Sequence, residues 1–387
     1  MHDPYFAGLA AALNRAGLIR PVLVVDRQRL NANVAAIRNS TDAAKLPLRV
    51  VAKSLPSPRL LEAVMTGMGS QRLMVFSAEM LLQLLPLHGE ADFLMGKPLP
   101  VSEFARVIDS AGAETAARIQ WLIDSAERLE QYGEVARSRS LSWRANLEID
   151  VGLHRGGFAD PVELVVAAQR ANANGAAVAG LMGYEPHVPK MPDPDAAYGD
   201  AQGAYTKAID ALRGAGVAEP QALTLNGAGS PTFRRHCKGT VANEVSVGSA
   251  FVKPGDFDLD DLGDLTCAAW IATPVLKASD DKQLPGVEAL SGAMHWWDRN
   301  TTRGFFIHGG HWLAQPASPP GLQYSKLFGR SSNQELLTGS ANIALKPDDT
   351  VFLRPDQSEA LFLQFGDIAV YDGGEIAEMW PTLPVSA

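Results

Sequence analysis

Lys53 closes the segment LRVVAKS, where an apolar run ends in a single amine. A lysine whose stem is buried by such a run, and whose ammonium is partly desolvated, has a lowered pKa and can condense with a carbonyl as a Schiff base. A strand-end lysine that simply reaches solvent is the commoner outcome of the same local pattern. Four other segments carry groups suited to an anionic, planar ligand. In LEIDVGLHRGGF a Gly-rich turn presents Arg155, whose planar guanidinium suits an anionic oxygen as well as a surface carboxylate. GLMGYEPH holds Tyr184, an aromatic face that could stack on a ring or fill a core, with His187 three residues on. LNGAGSP and NEVSVGSAF supply Gly227, Ala228, Gly229, Ser230, Gly248 and Ser249, glycines and hydroxyls of the kind that let backbone N–H groups approach an anion. One Gly-Ser turn alone is usually only a turn.

Elements must bring these segments together. The 387-residue chain exceeds what one hydrophobic core usually serves, so two domains are expected. From Pro21 to Lys253 short β-rich runs alternate with helical patterns, as in Arg27 to Arg38, Pro58 to Met65 and Pro161 to Ala173. The runs are Val22–Asp26, Leu48–Lys53, Leu73–Phe76, Asp92–Met95, Ile119–Asp124, Trp143–Asp150, Val178–Tyr184, Ala222–Asn226 and Glu244–Val247. This alternation predicts an α/β fold, a (β/α)8 TIM-like barrel, with nine candidate strands for eight positions. No Gly-rich dinucleotide fingerprint follows the first run, which disfavours an open sheet. An acidic, turn-rich stretch from Gly255 to Asp264 then leads into Cys267–Leu276, Gly304–Ile307, Val351–Leu353, Ala360–Phe365 and Ile368–Tyr371, read as a C-terminal all-β domain. The expected division is residues 1–20 as an N-terminal segment that can pack on the β domain, 21–260 as the barrel, and 261–387 as the β domain.

Composition limits the partners. Apolar residues are 46% and charged residues 20% of the chain, an ordinary globular balance. With a net charge of −9 and no basic cluster interleaved with aromatics, a nucleic-acid surface is disfavoured. Cys237 and Cys267 are too few for a disulfide framework and are expected to be buried thiols. No basic-then-apolar leader and no long apolar run is seen, so no membrane partner and a cytoplasmic location are expected.

The opening PVLVVDRQRLNANVAAIRNS, with LRVVAKS after it, resembles the start of the fold-type III pyridoxal-phosphate enzymes, and the likeness runs in order to the C-terminus. Within that superfamily, which includes the alanine racemases, the chain is most similar to the D-threonine aldolase and D-serine dehydratase group. The resemblance implies that Lys53 carries pyridoxal 5'-phosphate as a Schiff base, that Arg155 bonds its phenolic oxygen and that Tyr184 stacks on its ring. It further implies that Gly227, Ala228, Gly229, Ser230, Gly248 and Ser249 hold the phosphate. Ser246 stands where alanine racemases have an arginine facing the pyridine nitrogen. His187 and His311, the latter in HGGHW, are candidate acids or bases, with Asn333 and Glu335 as secondary candidates. A homodimer, in which the β domain of one subunit completes the other's site, is also implied.

Two departures bear on the reaction. Where the metal-dependent members have a P-x-H-C segment, this chain reads RPDQSE, so Gln357 and Ser358 replace the ligands and no metal is expected. Where they often have K-T-H, it has Lys53, Ser54 and Leu55. The reading is a lyase acting on an amino-acid substrate, a β-hydroxy D-amino acid, by retro-aldol cleavage or dehydration. A racemase or epimerase, which needs only proton removal and return, is the alternative; a non-catalytic pyridoxal-phosphate-binding protein and a barrel without cofactor are further ones.

Overall fold

The computed structural model describes residues 3–279, 302–325 and 329–384. They form two compact units, one built of Asn33–Phe251, Leu259–Leu265 and Leu383–Ala387, the other of Met1–Ala32, Val252–Asp258 and Thr266–Thr382. In chain order the strands are β1 (Val22–Asp26), β2 (Leu48–Val51), β3 (Arg72–Val75), β4 (Asp92–Met95), β5 (Gln120–Ile123), β6 (Trp143–Glu148), β7 (Ala176–Met182), β8 (Thr224–Gly227) and β9 (Glu244–Val247). They continue as β10 (Ala269–Ser279), β11 (Arg303–His308), β12 (Ala314–Ser318), β13 (Gln323–Tyr324), β14 (Gln334–Gly339), β15 (Thr350–Pro355), β16 (Ile368–Asp372) and β17 (Glu375–Trp380).

Strands β2 to β9 close into a parallel barrel, β9 pairing back on β2 with Ser246 opposite Arg49. Helices return the chain between strands, and several begin with a side-chain cap and a proline that supplies no N–H where none is needed. Ser57 caps Pro58–Met68, Asp160 caps Pro161–Ala173 and Asp193 caps Pro194–Gly214. The barrel interior is not all apolar. Arg49, fully buried, donates to Glu244 Oε1 at 2.6 Å and Asp92 Oδ2 at 2.7 Å. Arg72 reaches Glu244 Oε2 at 2.6 Å and Arg144 reaches Asp92 Oδ1 at 3.0 Å. Above these charges, Gln120, Asn146, Asn226 and Ser246 continue the polar lining. Because every barrel strand is parallel, the residues that follow Val51, Val75, Met95, Glu148, Met182, Gly227 and Val247 all emerge on one rim.

In the other unit β1 is an inner strand, antiparallel to β10 (Val22 opposite Ala272) and parallel to β16 (Val24 opposite Ala369). Of the nine runs expected in the barrel, this first one therefore lies outside it. Its five residues are all buried, the apolar signature that any strand covered on both faces shares, so the run itself does not say which sheet receives it. The sheet runs β13-β14-β11-β10-β1-β16-β17, with β15 joining β10 to β12. The run Ala360–Phe365 is not a strand. It curls into a 3₁₀ turn, Phe362–Gln364, with the Leu361 and Phe362 N–H groups on Ser358 O, burying Phe362. The N-terminal helix Pro4–Arg15 sets Phe6, Leu9 and Leu13 against Val22, Val24, Trp270 and Phe352. Cys267 is buried, but Cys237 is only half-buried, because it sits on the short helix Phe233–Lys238 whose inward face is taken by Phe233 and His236.

Candidate active site

Lys53 lies just past β2, in the 3₁₀ turn Ala52–Ser54, half-buried on the barrel rim. Its Nζ stands 4.3 Å from the centroid of Phe76, the residue that follows the neighbouring strand β3. Gly96, after β4, makes this ring position possible, since a Cβ there would lie 2.4 Å from two Phe76 ring carbons. Neither Phe76 nor Gly96 was singled out from sequence. Their signal is positional: each comes directly after its strand, and β3 and β4 follow β2 around the barrel.

On the β8 and β9 side the two Gly-Ser turns meet. Ser230 Oγ accepts the N–H of Gly248 at 3.2 Å and that of Ala250 at 3.0 Å. With its lone pairs so used, the buried hydroxyl has its own proton left to donate, and no described residue accepts it. Ala228 holds φ +67°, which a non-glycine residue adopts at a cost. At Gly248 a Cβ would meet Ser54 Oγ at 2.6 Å and Val51 Cβ at 2.8 Å, and Ser249 Oγ is 3.1 Å from Ser54 Oγ, so the β9 turn is pressed onto the chain around Lys53. Gly227, still within β8, leaves room for a different neighbour, the His236 ring, which a Cβ would meet at 2.8 Å. Ser246 Oγ is 2.9 Å from Asn226 Nδ2 and 3.1 Å from its Oδ1, and Asn226 is fixed in turn by Glu244 at 2.7 Å.

The turn after β6 doubles back tightly, with Phe158 N–H on Glu148 O at 2.8 Å and Gly157 at φ +90° against the Glu148 backbone. Arg155 rides on this turn and places its guanidinium carbon 5.4 Å from the Tyr184 ring centroid. Tyr184 in turn packs against Gly229, where a Cβ would come within 2.5 Å of a ring carbon. His154 turns outward to Asp150 Oδ2 at 2.7 Å. His187 sits beside Gly152, and its Nδ1 is buried with no partner among the described residues. Glu148, at the end of β6, was missed: it is 8% exposed and its carboxylate accepts no hydrogen bond among the described residues. Burial holds its carboxyl above the usual carboxylate range; Arg155 offsets part of this, while Asp124 and Asp150 add to it.

The remaining candidates belong to the strand unit. His311 follows Gly309 (φ +77°) and Gly310 (φ +139°) and is itself at φ +57°. Its N–H donates to buried Glu335 at 2.6 Å, and Arg330, which also binds Glu335, covers the Tyr324 ring at 3.8 Å. Gln357 Nε2 donates to Asp256 at 2.7 Å, and Ser358 Oγ is 3.2 Å from Glu359 Oε2. Among the described residues no cluster of three His, Cys, Asp or Glu side chains is arranged to hold a metal ion.

A closed (β/α)8 barrel with a lysine, a pair of Gly-Ser turns and an arginine–tyrosine pair on one rim, accompanied by a mainly β unit, defines a fold-type III pyridoxal-phosphate enzyme class. The family described as alanine racemase, N-terminal domain, matches residues 25–254, and the chain belongs to it. Members of this family depend on pyridoxal phosphate. Among solved structures, D-threonine aldolase from Filomicrobium marinum is similar with a TM-score of 0.76 at 20% identity, covering 93% of this chain and 94% of that one. D-threo-3-hydroxyaspartate dehydratase from Delftia sp. HT23 gives 0.74 at 16%, covering 95% and 98%. Alanine racemase from Bacillus anthracis gives 0.70 at 13%, covering 94% and 98%. No curated protein matches. At these identities the likeness carries the fold. The residues fit the cofactor on their own account, because the Ser230 hydroxyl has no acceptor among the described residues and a phosphate oxygen would supply one, while Lys53 lies on the same rim.

Proposed function

We propose that the chain is a pyridoxal-phosphate-dependent lyase acting on a β-hydroxy D-amino acid, by retro-aldol cleavage or dehydration, with Lys53 as the residue that holds the cofactor. The observation that carries the reading is the shared rim: the Lys53 amine, the unaccepted proton of Ser230 and the Arg155–Tyr184 pair all follow strands of one parallel barrel. When bound, the cofactor supplies an electron sink for charge developing at the substrate's Cα. Ser230, with the N–H groups of the two turns, would hold the phosphate. Arg155 would hold the phenolic oxygen and Tyr184 would cover one ring face. Ser246, tied to Asn226, would offer the ring nitrogen a neutral partner, at the position where racemases of the superfamily have an arginine. Lys53 Nζ would be the amine that takes a proton from the substrate, and His187 Nδ1, buried without a partner among the described residues, would be a second group to hold one.

A racemase is the second reading, favoured by one observation. Gln357 and Ser358 stand where metal-dependent lyases of the resembling group have ligands, and Gln357 is engaged with Asp256. Either reading expects a homodimer. The purified protein saturated with pyridoxal phosphate should show a visible absorbance band that Lys53→Ala abolishes; a colourless wild type would end the proposal. Assays with D-threonine, D-serine and D-alanine then divide the readings. Aldehyde or keto acid supports the lyase, and formation of the enantiomer without loss of carbon supports the racemase.

A further inference from the structure

Behind the Ala228–Ser230 turn lies a polar cluster that the proposed chemistry does not use. Glu185, Thr232 and His236 are 2%, 0% and 1% exposed. Glu185 Oε1 accepts the Thr232 hydroxyl at 2.5 Å and lies 3.2 Å from His236 Nε2. Thr232 Oγ1 in turn accepts the Gly229 N–H at 3.2 Å. The other ring nitrogen of His236 is 2.8 Å from Thr240 Oγ1, which reaches Gln202 Oε1 at 3.2 Å, and Tyr198 packs edge-on against the ring at 5.2 Å.

Burying a carboxylate and an imidazole costs free energy that apolar side chains of similar volume would avoid, so the barrel does not need this pair in order to close. The connections of the pair show what it holds. Glu185 is the next residue after Tyr184, and its carboxylate reaches through Thr232 to Gly229, the residue against which the Tyr184 ring lies. One side chain thus ties the aromatic wall of the site to the turn that carries Ser230. Ala228, at φ +67°, is the strained hinge of that turn, and an unsupported turn would relax away from it.

We infer that Glu185, Thr232 and His236 are positioning residues that clamp the Ala228–Ser230 turn against Tyr184 and so preform the seat for the cofactor's phosphate. The inference rests on the pyridoxal-phosphate reading above. The discriminating variants are Thr232→Val, which keeps the shape and removes the hydroxyl, and Thr232→Ser, which restores it. Each protein is stripped of cofactor and titrated with pyridoxal phosphate and with pyridoxal, which lacks the phosphate, while absorbance is followed. Leaving the Gly229 N–H unpaired should weaken pyridoxal phosphate binding by roughly 10-fold in Thr232→Val, with pyridoxal changed by less than about 2-fold and Thr232→Ser close to wild type. Equal affinity of wild type and Thr232→Val for pyridoxal phosphate, or equal loss of both ligands, overturns the clamp. A wild type that binds neither ligand overturns the cofactor reading instead. Should Thr232→Val not fold, amide exchange of the cofactor-free wild type decides: slow exchange at the Gly229 N–H, which Thr232 Oγ1 accepts, is expected, and exchange there at the rate of an open loop overturns the inference.

Discussion

A carboxyl group withdrawn from water resists ionisation, and Glu148 is such a group at the end of β6, with no donor to its carboxylate among the described residues. Burial raises its pKa in the folded chain, so between the ordinary glutamate range and that raised value the folded state holds a proton the unfolded state has released. Stability therefore falls as pH rises through this window, and the loss persists above it. Glu148→Gln should melt with wild type at low pH and above wild type at pH 8; thermal melts that stay parallel across pH would show that the site does not perturb the group. At this scale the sequence was partly legible. Lys53, Arg155 and Tyr184 stand out by residue type within Gly-rich or strand-end contexts. Glu148, Glu185, Thr232 and His236 do not, because a Glu or Thr is most often solvated, and only burial with particular neighbours makes it notable.

The barrel strands bind their first layer through charge. Asp92 on β4 is pushed up by burial, but the Arg49 and then the Arg144 guanidinium outweigh this and hold its carboxyl below the usual aspartate range. A depressed pKa contributes stability that is present above the unfolded value and is lost as pH falls through the folded one. Asp92→Asn should accordingly flatten the acid limb of the stability profile measured by urea unfolding. At neutral pH it should cost about 2 kcal/mol, less than the 3–5 kcal/mol of breaking a fully buried pair, since the Asp92 side chain is 31% exposed. An unchanged acid limb would mean that Asp92 does not titrate with the fold. Periodicity located most of these strands, because a parallel strand covered on both faces reads as a short apolar run. That same feature hid the destination of β1, whose neighbours β10 and β16 lie more than 200 residues away along the chain. It also drew Ala360–Phe365 toward a strand reading, though its apolar residues serve a 3₁₀ turn. The strands β12, β13, β14 and β17 passed unnoticed, β13 being two residues long and the other three mixing polar residues with their apolar ones.

Across the molecule, the strand unit draws on both ends of the sequence. The helix Pro4–Arg15, begun by the Asp3 cap, places fully buried Leu9 in the cluster formed by Trp270, Phe352 and Val24. Leu9→Ala should cost about 3 kcal/mol in equilibrium unfolding; a cost under about 1 kcal/mol would show that the helix is not seated there. The sequence by itself determined the βα alternation, the β-rich C-terminal third and a family resemblance in which Lys53, Arg155, Tyr184 and two Gly-Ser turns occur in order. These follow from local periodicity and residue chemistry, which a linear reading retains. Only the tertiary structure decided that the first strand belongs to the second sheet, that Ser230 is left with a proton to donate, and that Glu185 connects Tyr184 to the turn at Gly229. Each of these depends on groups distant in sequence meeting where water is excluded, and there an unpaired or paired polar atom acquires a meaning that its residue type alone does not carry.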